Sequence, residues 1–242
     1  GYDAVLAPEW SGLAAFVGGS TRQVTNLVTG ARLLDEKGNT AGRRLATDFK
    51  IRSNGGEFDF AAYVSRNRVA GLMIVDDGEV ALELYQLGVD ANTRWLSMSL
   101  AKSLSTTLVG AAIRDGLIDS IEAPLTRYLP ELAGSGYDGV SIRHVMQMTS
   151  GVRWDDTHTE GQSERRNMLE LQFAQRPGEI TRYLARHPRV AEPGTLWNYS
   201  TGETHLVGAL LRAATGRWVS DYLSEKIWSP FGMESDATWW LE

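Results

Sequence analysis

A chain of 242 residues, 43% hydrophobic and 22% charged, has the composition of a folded domain large enough to bury a substantial core. Its formal charge of -6 and pI near 5.3 exclude the concentrated positive field that a nucleic acid or an anionic membrane surface requires, and its apolar runs, as around Leu108 to Ile113, are too short to span a bilayer. The absence of cysteine removes disulfides, thiolate metal sites and cysteine nucleophiles. The four histidines, His144, His158, His187 and His205, do not fall at zinc-ligand spacing, so neither a metal nor an organic cofactor is expected.

Residues 1–56 are rich in glycine and arginine without sustained periodicity and read as an N-terminal arm packed on a main domain at 57–242. From Phe58 the pattern sharpens. "FDFAAYVSRNR" reads as a helix, and "AGLMIV" and "EVALELYQLG" read as two strands joined at Asp77-Gly78, a favoured hairpin pair. "SLSTTLVGAAIRDGLID" keeps small and apolar residues on one helical face until Gly116, and places Ser99 at the helix start. Further helices are expected at 141–148, 179–186, 204–215 and 218–228, whereas 152–178 reads as a loop. Strands followed by many helices imply an α+β fold with a helical subdomain set into a sheet domain.

Several motifs fail on context. "GSGYDG", Gly134 to Gly139, fits a dinucleotide fingerprint in letters only, because "RYLPELA" before it has no strand character; a plain loop is expected. No Walker phosphate loop, H-E-x-x-H or G-x-S-x-G elbow occurs.

Two stretches carry chemistry. In "SMSLAKS" Ser99 and Lys102 stand three residues apart at a helix start, on one face, with the serine at the positive end of the helix dipole. Only four of the 24 basic residues are lysine, and a lysine, unlike an arginine, can give up its proton and accept one from a hydroxyl. On the spacing alone, an N-cap serine beside a solvated lysine is the favoured reading. In "EPGTLWNYSTGETHLVG" a Pro-Gly turn precedes Tyr199, whose phenol could relay a proton; taken singly, an ordinary core or rim aromatic is favoured there too.

Together, "SMSLAKSLSTTLVGAAIRDGLIDSIEAPLTRYLPEL", "SIRHVMQMTSG" and "EPGTLWNYSTGETHLVGALLRAATG" resemble, in order and spacing, the serine β-lactamase and penicillin-binding-protein superfamily. The resemblance lies in its class C-like esterase branch and is greatest to the 6-aminohexanoate-dimer hydrolases. It implies a β-lactamase-like fold, an antiparallel sheet flanked by helices plus a mostly helical subdomain, and a serine hydrolase cleaving small amides or carboxylic esters. By the same resemblance Ser99 is the acylated nucleophile, Lys102 its general base and Tyr199 the proton donor to the leaving group, with the Ser99 backbone N–H as one oxyanion donor. Helix "SIRHVMQMTSG" braces the site and ends in a turn at Ser150 and Gly151. Trp154, with Asp155 and Asp156 behind it, opens a polar loop that could cover the site and hold a substrate amine, a plain solvent-exposed loop being an equal reading. Trp154 and Thr201 are the candidate substrate-binding residues. A cytoplasmic location is implied ahead of a periplasmic one.

Two departures qualify the likeness. Tyr199-Ser200-Thr201 replaces the frequent Y-x-N, so a hydroxyl at Thr201 stands where an amide would meet a substrate acyl group. The K-T-G-like or H-x-G-like strand of the superfamily is missing before Glu242, which leads to the expectation that the C-terminal strands belong to a remainder of the same protein. Other expected partners are a small amide or ester substrate and, left open, a second copy in a homodimer; neither nucleic acid nor membrane is expected. The alternatives are a D-alanyl-D-alanine carboxypeptidase or β-lactamase and, from a different class, a non-catalytic binding protein on the same fold.

Overall fold

The computed structural model describes residues 22–24, 50–53, 55–76, 78–157, 162–233 and 235–240. Most of the arm expected at 1–56, and Asp77 of the hairpin pair, lie outside the described residues. The chain divides into two compact units, one of residues 30–96 and one of residues 1–29 with 97–242.

The smaller unit is built from two hairpins and a short helix. Strands β2 (Lys50–Ser53) and β3 (Gly56–Asp59) pair antiparallel, as do β4 (Gly71–Asp76) and β5 (Glu79–Tyr85). The β4–β5 register sets Asp76 opposite Glu79, so the connection is the expected two-residue turn, with Gly78 at φ 82°, a left-handed conformation glycine adopts without cost. Between the hairpins, α1 (Phe60–Arg66) is shorter than "FDFAAYVSRNR" suggests. Residues through Asp59 continue β3, and the Asp59 carboxylate then caps the helix by accepting from the Ala62 N–H at 2.6 Å.

The larger unit holds the core. Helices α2 (Leu100–Arg114), α3 (Ile142–Met146), α4 (Glu164–Ala174), α5 (Glu179–Leu184), α6 (Thr201–Thr215) and α7 (Val219–Leu223) follow in order, and β6 (Ala237–Trp239) pairs antiparallel with β1 (Arg22–Val24). The central contact is α2 against α6. Leu108, Val109 and Ala112 of α2 meet Leu206, Val207, Leu210 and Leu211 of α6 in one fully buried cluster, which Ile142, Val145, Ile180 and Leu184 extend. These positions recur at three- and four-residue intervals, which is why both segments fold as amphipathic helices. Helix α2 ends as anticipated at Gly116: the Gly116 N–H donates to Ile113 O at 3.0 Å and the Leu117 N–H to Ala112 O at 2.9 Å, a paired closure that the glycine's φ of 73° permits. Its terminus is tied to the last helical segment, where Asp115 accepts from Tyr222 Oη at 2.9 Å and pairs with Lys226 at 2.8 Å; the Lys226 ammonium holds this carboxyl below its ordinary range.

Three differences from the sequence-based expectation have local causes. Helix α6 starts at Thr201 rather than 204, because Ser200 caps it. The expected helix at 218–228 is α7 followed by a π-helical stretch, Ser224–Trp228. Helix α4 lies inside the stretch read as a loop: Ser163 caps it, accepting from the Arg166 N–H at 3.1 Å, but only Met168 of its apolar residues is fully buried, so little periodicity shows. "GSGYDG" is a turn as expected. Its Tyr137 is buried, and a side chain at Gly136 would meet His187 O at 2.6 Å. Among the described residues no helix is long and apolar enough to cross a membrane.

Candidate active site

Ser99 occupies the N-cap position of α2, yet its side chain makes no capping hydrogen bond. The hydroxyl is instead the meeting point of two other groups. Lys102 Nζ lies 3.2 Å from Ser99 Oγ, and the Tyr199 hydroxyl donates to the same oxygen at 2.9 Å. Lys102 Nζ also stands 5.3 Å from the centroid of the Tyr199 ring, so serine, lysine and tyrosine face one another pairwise. The first contact follows from the three-residue spacing at a helix start. The second spans 100 residues and comes from tertiary structure alone. Immediately before Ser99, Met98 has φ 47°, a left-handed conformation that costs a side-chain-bearing residue energy and turns the chain sharply into α2.

Tyr199 is held by a segment pinned along its length to residues 148–154. Gly194 N–H donates to Thr149 O at 2.7 Å, Asn198 N–H to Met148 O at 3.0 Å, and Asn198 Nδ2 to Trp154 O at 2.8 Å. The Pro193-Gly194 turn makes this run possible, with Gly194 at φ 85° and Thr195 N–H closing onto Glu192 O at 3.1 Å. Gly151, at φ 76°, lies so close to the returning chain that a Cβ there would sit 2.0 Å from Ala191 O. Ser150 and Gly151, expected as a helix C-terminal turn, thus brace the tyrosine segment.

Ser99, Lys102 and Tyr199 open on a cavity of about 340 Å³. Ser103 and Thr106 line it along α2, Val145, Met146 and Met148 from α3 and its exit, and Thr204 and Val207 from α6. Among the described residues Lys102 is the one charged side chain in that lining. Trp154 and Thr201 stand apart from it. Trp154 is buried, its indole N–H donating to Asp156 Oδ1 at 2.9 Å, and Thr201 gives both its N–H and its hydroxyl to the same carboxylate, at 3.3 and 3.1 Å. Asp156 therefore fastens the tryptophan-bearing loop to the first residue of α6, a connection sequence reasoning missed.

Also missed was a buried polar node behind Tyr199. Glu203 is 3% exposed, and its carboxyl accepts from the hydroxyl of fully buried Ser150, which in turn accepts from the Val152 N–H at 3.0 Å. Burial raises the Glu203 carboxyl to about 8, outweighing the hydrogen bonds from Ser150 that act in the opposite direction. The available signal was Ser200-x-x-Glu203, the pattern of a helix capping box.

The sequence matches the beta-lactamase family over residues 60–241. The chain belongs to the beta-lactamase family. Among curated proteins, 6-aminohexanoate-dimer hydrolase of Paenarthrobacter ureafaciens is 30% identical over 171 residues, which cover 69% of this chain and 43% of that protein. Monacolin J acid methylbutanoyltransferase of Aspergillus terreus is 29% identical over 178 residues, covering 66% and 41%. Among solved structures, a Bacillus anthracis protein provisionally named a 6-aminohexanoate-dimer hydrolase superposes with a TM-score of 0.74 at 21% identity, over 96% of this chain and 61% of its own. A family VIII carboxylesterase superposes at 0.51 and 24% identity, over 69% and 46%. The expected β-lactamase-like fold is thereby established. This beta-lactamase-family chain spans about two fifths of the length of the curated relatives it matches.

Proposed function

We propose that the protein is a serine hydrolase that cleaves small amides or carboxylic esters through an acyl-enzyme on Ser99. The observation that carries this reading is the position of Ser99 Oγ, free of any capping role and within hydrogen-bond reach of both Lys102 and Tyr199. A serine hydroxyl becomes a nucleophile only when a neighbour takes its proton, and a neutral amine at this distance can do so. As Oγ bonds to the substrate carbonyl carbon, its proton passes to Lys102 Nζ and the carbonyl electrons move onto oxygen. The Ser99 backbone N–H lies where a helix start leaves amides without internal partners, and serves the oxyanion. Tyr199 Oη then gives its proton to the departing nitrogen or oxygen and recovers one from Lys102, and water releases the acyl group by the reverse path.

The cavity lining suits a small acyl group with both apolar and polar parts, since valine and methionine side chains share its wall with the hydroxyls of Ser103, Thr106 and Thr204. Two relatives bear on the substrate class by their names, a 6-aminohexanoate-dimer hydrolase and a monacolin J acid methylbutanoyltransferase. A remainder of the same protein completing the sheet and supplying a second oxyanion donor belongs to this proposal, as does a role for the 152–178 stretch in choosing substrates.

The test is covalent labelling with a fluorophosphonate, followed by intact mass and peptide mapping. We expect one adduct, on Ser99, and hydrolysis of nitrophenyl esters that disappears in Ser99→Ala. Ester hydrolysis undiminished in that variant would overturn the assignment, and acylation of Ser99 by a penicillin would move it to β-lactamase or carboxypeptidase chemistry.

A further inference from the structure

Ser200 and Glu203 have the spacing of a capping box, but only half of the box forms. Ser200 Oγ accepts from the Glu203 N–H at 3.1 Å, as that motif requires. The Glu203 side chain does not return to the Ser200 N–H, which donates instead to Met148 Sδ at 3.3 Å. Glu203 turns inward to Ser150, and its second oxygen, Oε2, is buried with no hydrogen-bond partner. A carboxylate in that position would hold its charge beside an unsatisfied oxygen in a nonpolar surrounding, whereas a carboxylic acid carries a proton there and no charge. The node joins the elements that form one wall of the cavity: Ser150 and Val152 follow Met148, and Glu203 and Ser200 follow Tyr199.

We propose that Glu203 is a positioning residue for Tyr199, a neutral acid that latches residues 148–152 to the first turn of α6, and that loss of its proton loosens the wall to which Met148 and Tyr199 belong. Burial keeps the acid protonated at neutral pH. The groups facing it are Ser150, through hydroxyl and backbone N–H, and the buried phenol of Tyr137 from the 134–139 turn, whose acidity Glu203 weakens further. The latch as a device for Tyr199 rests on the hydrolase reading for its catalytic consequence, but its structural consequence is separately measurable.

The experiment is amide hydrogen exchange of peptides covering 148–152 and 196–204, corrected for the intrinsic pH dependence of exchange, alongside the rate of fluorophosphonate labelling at Ser99. Wild type should lose protection about tenfold between roughly pH 6.5 and 9.5, with labelling falling in parallel, while Glu203→Gln, neutral at every pH, keeps both. Ser150→Ala, which removes the donor, should lack the protection at both ends of the range, and serves as well if Glu203→Gln fails to fold. A Glu203→Gln protein that loses protection with pH as wild type does would overturn the latch, even with labelling intact. Wild type that switches protection as expected yet never labels would support the latch and sink the hydrolase reading.

Discussion

With its hydroxyl removed, Ser99 would leave Lys102 and Tyr199 facing an empty point, while the helix it precedes would lose nothing, because that hydroxyl does not cap α2. Ser99→Ala is therefore expected to abolish fluorophosphonate labelling and lower kcat/KM by about 10³-fold or more, with stability changed by less than about 0.5 kcal/mol. A melting temperature that fell with activity would show the serine to be structural. Lys102→Arg separates charge from proton transfer at the next residue. Arginine fills the same place over the Tyr199 ring but cannot give up its proton to serve as a base, so acylation should slow by about 10²-fold or more. Single-turnover kinetics read that step directly, and an arginine variant acylating at the wild-type rate would remove Lys102 from the proton path. Tyr199→Phe should spare folding and cost a similar factor, larger for poor leaving groups than for nitrophenol, since a poor leaving group needs its proton.

The close backbone approaches around α6 make the arrangement of elements sensitive to single methyl groups. A Cβ on Gly202 would stand 2.6 Å from Leu184 Cδ2 and 2.8 Å from the Trp154 ring, and the buried tryptophan has no room to yield. Gly202→Ala should thus cost about 1–3 kcal/mol and displace the start of α6, lowering melting temperature and acylation rate together. An unchanged melting temperature would contradict the close packing. How far the sequence reveals this level depends on where the information lies. The α2–α6 pair, the β4–β5 hairpin and the Gly116 terminus were legible, because each is written in local periodicity or turn chemistry. The shared helix face of Ser99 and Lys102 was legible too, but spacing alone favoured a capping serine beside a solvated lysine, and their contact, like that of Tyr199, was expected only through a family resemblance. Helix α4 was not legible, since its exposed faces are polar and its N-cap Ser163 is its one strong local mark. Nor was the inward turn of Glu203, because a capping box read from four letters places that carboxyl on its own helix, and only the tertiary neighbour Ser150 draws it away.

At the scale of the whole molecule, the pH dependence of stability follows from which carboxyls the fold strengthens or weakens as acids. Asp115 and Glu225, each bonded first to Lys226, and Glu122, bonded to Arg143, are held below their ordinary range. What they contribute is present above the carboxyl range of the unfolded chain and is lost on acidification. Glu203 acts in the opposite sense. Its carboxyl ionises at about 8 in the folded protein against an ordinary 4.5, so between those values the folded state holds a proton that the unfolded state has released. Stability then falls as pH rises from about 4.5 to about 8 and levels off above it, by a total on the order of 5 kcal/mol. Glu203→Gln removes that proton linkage and leaves the acid-side groups intact. Thermal unfolding followed across this range should show a melting temperature that declines with pH in wild type and a flatter profile in the variant, the two diverging most at the alkaline end. Parallel declines would mean that the folded protein does not hold Glu203 protonated, and that Ser150 binds an ion rather than an acid.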